Sequence, residues 1–273
     1  MTTSDGPFDS VSLAMLEDGL RKTMLSASGP ELDAALMELG WAEMLADHAD
    51  QAVPLVFRLL GETGSHASVL VDVVLHATGN TIGGTLELPL PYIGNSWVVW
   101  DRTAEGVNVD TLGGLPLRRE EEGYPIRLAE ARSAVSWWLI GSARAMLALA
   151  RQHALDRVQF GKPIAGFQAV RHRLAETLVA IEGAEATLDI PGDDSPDLTA
   201  LLAKAAAGKA ALTAAKHCQQ VLGGIGFTEE HALHHHVKRV LVLDGLLGSS
   251  RELTRRAGAG LRARGSVPRL AQL

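Results

Sequence analysis

From Leu128 to Arg157 the chain runs thirty residues without a proline, LAEARSAVSWWLIGSARAMLALARQHALDR. Ala131, Val135, Trp138, Ser142, Ala145, Leu149 and Gln152 recur in it at three- and four-residue steps, the spacing of one helix face. At 1.5 Å per residue such a run makes a helix of about 40 Å. Two further long helical stretches follow, near 166–188 and 198–222, parted by IPGDDSPD, and a last helical region covers roughly 230–262. Four long helices joined by short loops predict an up-down bundle. The Ala-rich segment near 203–215 fits this reading as a good helix former.

The residues before 128 divide in two. Residues 8–78 carry apolar spacing of the helical kind, with Leu13, Leu16, Leu20, then Leu32, Leu36, Leu39, then Val53, Val56, Leu60. Ser28-Gly29-Pro30 and Gly64-Ser65 punctuate them, and Pro30 sits where a first helical turn tolerates proline. Residues 79–127 are rich in Gly and Pro, with short β-leaning runs such as TLELPL and SWVVW. The expected architecture is mainly α: an N-terminal helical domain over 1–78, a reduced β domain of three to five strands over 79–127, and a C-terminal four-helix bundle over 128–273.

Composition excludes several classes of function. The 273 residues carry a formal net charge of −7, which argues against nucleic acid as a partner, because backbone binding needs surplus Lys and Arg. No apolar run in the sequence approaches a membrane span, and MTTSDGPFDS has neither the charged nor the apolar region of a secretory signal. The single cysteine, Cys218, excludes an internal disulfide framework and a Cys-cluster metal site. A cytoplasmic protein with no membrane partner is expected.

Two loops between the helices carry candidate chemistry. In the first, a helix ends near Arg157, Phe160-Gly161-Lys162-Pro163 turns the chain, and Gln168 falls early in the next helix. An Arg at a helix C-terminus interacts well with the dipole. In the second, QQVLGGIGFTEEH, a helix runs into Gly223, Gly224 and Gly226, and Thr228 is placed to cap the next helix with Glu229 and Glu230 in its first turn. Paired glycines let a phosphate or another backbone approach closely.

In this order, R-x-x-F-G-K-P-I-x-x-F-Q followed some fifty residues later by Q-x-x-G-G-x-G-F resembles the acyl-CoA dehydrogenase family. LGGIGFTEEHALHHHVKR looks like an actinobacterial branch of it, and ELDAALMELGWAEML resembles its opening helices. The resemblance implies an α-helical N-terminal domain, a β domain and a C-terminal four-helix bundle. It also implies FAD, which oxidises an acyl-CoA thioester to its 2,3-enoyl form. Carried over residue by residue, Arg157, Phe160 and Gln168, with Gln220, Gly223 and Gly224, contact FAD held by a neighbouring subunit. A guanidinium suits the anionic dinucleotide, and a phenyl ring suits its apolar faces.

Two departures qualify the resemblance. The family removes the α-proton with a carboxylate base, commonly a Glu before Gly about twenty residues after the G-x-G-F phenylalanine. That place here is Leu247, followed by Gly248. A minority of the family puts the base near the start of the first bundle helix, where this chain has Ala131 before Arg132. Neither side chain can take a proton. Glu130 and Asp244 are the nearby carboxylates, each needing a register shift. The β domain is also about half the family's length, with Asn95, Trp97 and Trp100 in what remains. No catalytic residue is therefore assigned. The expectation is a subunit of a heteromeric αβ acyl-CoA dehydrogenase of steroid or lipid catabolism, arranged α2β2, sharing FAD with a longer catalytic partner that binds the acyl-CoA. The alternatives are an autonomous homo-oligomeric dehydrogenase with a displaced base, and a flavin-free structural helical subunit.

Other features have plainer readings. His231, His234, His235 and His236 include an i,i+4 pair but lack the acidic helper of a zinc helix, and no metal site is assigned. Arg251, Arg255, Arg256, Arg262, Arg264 and Arg269 read as a solvated helix end and tail, and Trp137 and Trp138 as packing.

Overall fold

The computed structural model describes residues 10–91, 96–103, 112–189 and 196–266. Asn95 and Arg269 lie outside the described residues. Five helices come first: α1 (Ser10–Ser26), α2 (Pro30–Glu38), α3 (Trp41–Asp47), α4 (Ala49–Thr63) and α5 (Val69–Ala77). Pro30 stands in the first turn of α2, and Gly64 closes α4 in the left-handed region at φ 74°. Three short strands follow: β1 (Glu87–Pro89), β2 (Trp97–Trp100) and β3 (Leu117–Glu120). They form one antiparallel sheet in the order β1-β2-β3, with Leu88 opposite Val98 and Trp100 opposite Leu117. Those four side chains are the buried face of the sheet, as the two-residue period of a strand requires.

The C-terminal part comprises α6 (Ala129–Asp156), α7 (Gln168–Leu188), α8 (Pro196–Leu222), α9 (Leu233–Gly245) and α10 (Ser250–Arg264). Between α6 and α7, β4 (Val158–Gln159) and β5 (Lys162–Pro163) form a two-stranded hairpin. The expected fourth bundle helix over 230–262 is two helices, broken where Leu247 and Gly248 turn at φ 63° and 107°. Thr228 does not cap α9, because that helix starts five residues later. Its hydroxyl donates instead to the Ile225 carbonyl at 3.1 Å, leaving Glu229 and Glu230 in the preceding turn.

Helix α6 is the axis of the molecule. Its first half is buried on nearly every side, because α4, α5 and the sheet cover one flank and α7, α8 and α9 the other. Trp138 is fully buried, edge-on to Phe57 with ring centroids 5.9 Å apart and 6.2 Å from Trp100. Trp138 thereby joins the N-terminal helices, the sheet and the bundle into one core. Helix α4 approaches so closely that a Cβ on Gly141 would lie 2.0 Å from the Arg58 carbonyl oxygen. Alanines play the same part in α8. Ala203, Ala207, Ala210, Ala211 and Ala214 are buried, so the Ala-rich segment serves close packing as well as helix propensity.

The sheet is tied to the N-terminal helices by charge. Arg102 pairs with Asp72 at 2.6 Å, bonds the Ser68 hydroxyl, and donates from Nε to the Gly84 carbonyl at 2.9 Å. Trp41 donates to the same Asp72 carboxylate at 3.2 Å.

Helix α6 and the 197–227 stretch are long and apolar enough to cross a membrane by length and composition, which corrects the sequence expectation. Their apolar windows are 67% and 56% buried in the fold, and the apolarity is spent on the core and on alanine contacts.

Candidate functional site

The chain order α6 up, α7 down, α8 up brings the two conspicuous loops to one end of the bundle. Arg173 of α7 and His217 of α8 meet there at 3.2 Å, and His217 also hydrogen-bonds Thr177 at 2.9 Å. His153 near the end of α6 stacks edge-on with His231 beyond α8, at 6.5 Å between rings. All six residues carried over by the resemblance are at this end.

Arg157 is the C-cap of α6. Its N–H donates to His153 O at 2.9 Å, and its carbonyl accepts from Ile164 N–H at 2.8 Å, closing the base of the β4–β5 hairpin. Its exposed guanidinium has no hydrogen bond or ion pair among the described residues. The hairpin turn is Phe160-Gly161, both in the left-handed region at φ 52° and 78°, as a two-residue turn of this hand requires. For phenylalanine that conformation is costly. The Phe160 side chain recovers little, being 92% exposed with only an edge contact to Phe167 at 6.1 Å. Gln168 is the first residue of α7 and exposed, with its amide 3.3 Å from His172 Nε2. Gln220 is exposed in the last turn of α8. Gly223 needs its glycine for φ 66°, but a Cβ on Gly223 or Gly224 would meet nothing within 4 Å. Phe227 is 67% exposed beside them. The result is an outward edge of one cation, two aromatic rings, two amides and an open glycine pair. Its residues suit the adenosine diphosphate side of a dinucleotide. They cannot enclose a flavin ring alone.

The opposite end of the bundle holds the two positions where a base is expected. Leu247 is 1% exposed. Its N–H donates to Pro89 O at 2.8 Å, and its carbonyl accepts from Arg132 Nε at 3.2 Å. Lys204, fully buried, donates to the carbonyls of Asp244 at 2.9 Å and Gly248 at 3.1 Å. Burial takes the Lys204 ammonium down to about 8 and the Arg132 guanidinium down to about 10. Two buried cations thus clamp the Asp244–Gly248 segment through its carbonyl oxygens. Leu247 borders a cleft of about 760 Å³ between the sheet and the bundle, together with Trp97, Arg132 and Glu252. Ala131 is buried at the start of α6.

The two nearby carboxylates are occupied elsewhere. Asp244 is buried, and its Oδ1 accepts from Ser250 N–H at 3.1 Å, ordering the entry to α10. Glu130 pairs with Arg127 at 3.4 Å and borders a different cavity, of about 620 Å³, beside Leu45, Val53 and Trp137. Neither lines the cleft that Leu247 lines. His231 lies outside α9 and accepts from Leu233 N–H at 3.1 Å, so the i,i+4 histidine pair is not on a helix. Lys204 escaped notice in the sequence. The available signal was a lone lysine inside an unbroken apolar face of alanines.

Residues 126–261 match the family described as acyl-CoA dehydrogenase, C-terminal domain. The chain is 34% identical over 226 residues to acyl-CoA dehydrogenase FadE34 of Mycobacterium tuberculosis, covering 73% of this chain and 31% of that protein. It is 41% identical over 117 residues to acyl-CoA dehydrogenase IpdE2 of the same organism, covering 43% of this chain and 37% of that protein. The matches span about a third of the length of these curated relatives. The crystal structure of the ChsE4-ChsE5 complex from Mycobacterium tuberculosis superposes with a TM-score of 0.61 at 19% identity, covering 98% of this chain and 91% of that one. This likeness establishes a shared fold. With its two loop motifs, its mainly α architecture and the match across the bundle, the chain belongs to the acyl-CoA dehydrogenase family.

Proposed function

We propose that this chain is the non-catalytic subunit of a heteromeric, FAD-dependent acyl-CoA dehydrogenase, and that Arg157, Phe160, Gln168, Gln220, Gly223 and Gly224 contact FAD held mainly by a longer catalytic partner. The observation that carries the reading is the separation of the bundle's two ends. At one end these six residues lie on the helix ends and loops that the bundle brings to the same side, five of them exposed and Gly223 half-buried. At the other, Leu247 and Ala131 occupy the positions of the base, while Glu130 and Asp244 face away from the cleft. Gly224 supports the same assignment, since neither its backbone conformation nor a neighbour within 4 Å requires a glycine there. In this reading the missing side chain keeps that surface clear for the cofactor's approach. FAD, when bound, supplies the two-electron acceptor for 2,3-desaturation of an acyl-CoA thioester. This chain's part is to hold the anionic edge of the dinucleotide with Arg157 and with backbone N–H groups of the glycine pair.

The partner in this reading binds the thioester and provides the base. An α2β2 assembly and a cytoplasmic location follow by analogy, as does a steroid- or lipid-derived acyl group, which the name of a second similar structure, a steroid ACAD variant, suggests. The chain divides in this reading into helical, reduced β and bundle domains at about 78 and 127. Purification with and without a longer acyl-CoA dehydrogenase co-expressed tests the proposal. The chain alone is expected to carry little flavin, and the complex about one per pair. A stoichiometric flavin spectrum from the isolated chain overturns it.

A further inference from the structure

The cleft between the sheet and the bundle encloses about 760 Å³, within the range of small-molecule sites. Its floor holds a buried cation. Arg132 is 6% exposed, and among its guanidinium nitrogens only Nε has a hydrogen bond to the described residues, donating to the Leu247 carbonyl at 3.2 Å. Among the described residues no acceptor meets its two Nη atoms. Those two atoms are not sealed off: they open to the solvent of the cleft, where an anionic acceptor can replace water on a planar, charged donor.

The surroundings specify what that acceptor can be. Four charged side chains share the lining with Arg132: Arg127, Asp197, Glu252 and Arg256. Arg127 is already paired with Glu130. Asp197 and Glu252 are less buried than Arg132, so solvent screens them more strongly. With Arg127 paired, Arg132 and Arg256 face two acids, so the lining has no surplus of positive charge to hold a phosphate dianion, and a monoanion is the better match. A carboxylate matches the planar guanidinium fork in charge and shape. The rest of the wall is largely apolar, including Pro89, Trp97, Ile126, Leu201 and Leu247. Leu247, whose carbonyl holds Arg132 Nε, adds an aliphatic group to this wall and no charge.

We propose that this cleft binds a small amphiphilic carboxylate, its oxygens on the Nη atoms of Arg132 and its apolar body against Trp97, Ile126 and Leu247. The site requires neither flavin nor a partner subunit, so its fate is separate from that of the dehydrogenase reading.

Titration calorimetry of the full chain with decanoate, and with 1-decanol as the neutral counterpart, tests it. Decanoate is expected to bind at one site at least tenfold more tightly than decanol. Arg132→Gln keeps a donor for the Leu247 carbonyl and removes the charge. It should weaken decanoate at least tenfold and leave decanol unchanged. Leu247→Glu, which sets a carboxylate beside Arg132 from within, should abolish decanoate binding. Should Arg132→Gln fail to fold, the comparison on the unaltered chain and the Leu247→Glu variant still decide. Equal affinity for decanoate and decanol, the absence of saturable heat with decanoate, or undiminished decanoate binding in either variant overturns the proposal.

Discussion

A Cβ placed on Gly61 of α4 would lie 2.8 Å from the carbonyl carbon of Gly141 of α6, and 2.4 Å from the Trp138 carbonyl oxygen. The two helices cross backbone to backbone. The obstruction on each side is main chain, which cannot swing away as a side chain can. Gly141→Ala is therefore expected to destabilise the fold by about 3 kcal/mol, the upper part of the range for overpacking. Urea unfolding measures it, and a loss below about 1 kcal/mol would contradict the close crossing.

Gly224 offers the opposite case. With open space at its Cβ and an ordinary backbone, Gly224→Ala should leave the unfolding midpoint of the chain within about 0.5 kcal/mol, as surface substitutions usually do. In the flavin-loaded complex the same methyl should weaken FAD retention measurably. Unchanged retention would remove Gly224 from the proposed contact.

Arg157→Ala tests the proposed cofactor edge directly. A charge-assisted hydrogen bond contributes about 1.5–3 kcal/mol, so FAD affinity of the apo complex should fall by roughly one to two decades. The melting temperature should barely move, since an exposed C-terminal Arg adds under about 1 kcal/mol to its helix. Arg157→Lys should recover only part of the affinity, lacking the planar fork. FAD titration with parallel melting curves separates a cofactor contact from a helix cap.

The two stray carboxylates are expected to be dispensable for chemistry. Glu130→Gln should leave turnover of the complex within about twofold, against the 10²- to 10⁴-fold that a general base contributes. Asp244→Asn keeps an oxygen for the Ser250 N–H but removes the negative charge beside the buried Lys204 ammonium, so it should lower stability by about 1 kcal/mol or more, with turnover per bound flavin unchanged. Single-turnover rates on flavin-normalised samples decide it.

Acid should unfold the chain through its buried imidazoles. Burial holds His236 down at about 4, with Arg239 and His235 adding repulsion. The folded state therefore keeps His236 neutral over a range in which the unfolded chain protonates it. The sign follows: this stability is complete above about 6.5 and is lost as pH falls toward 4. Full titration is worth about 3 kcal/mol. Urea midpoints between pH 7 and 4 should fall steeply, and less so in His236→Gln. Parallel curves for the two proteins would rule His236 out as the cause.

The sequence by itself determined the mainly α class, the extent of the long first bundle helix, the position of the sheet and the two loop motifs. Each is written locally, in apolar period, in glycine and proline, or in a fixed run of residues. It also determined that Leu247 and Ala131 hold no base, since no fold can give a hydrocarbon a proton to exchange. Only the tertiary structure decided that the last helical region breaks at Leu247-Gly248. The break is made by carbonyls clamped from Arg132 and Lys204, residues 115 and 44 positions distant from theirs. It alone decided that Glu130 faces away from the cleft, because which side of a nearly all-buried helix meets which cavity depends on every helix packed around it. Periodicity can reveal a single apolar stripe, but the first half of α6 is buried on nearly every side, and its orientation comes from the close contact at Gly61 and Gly141.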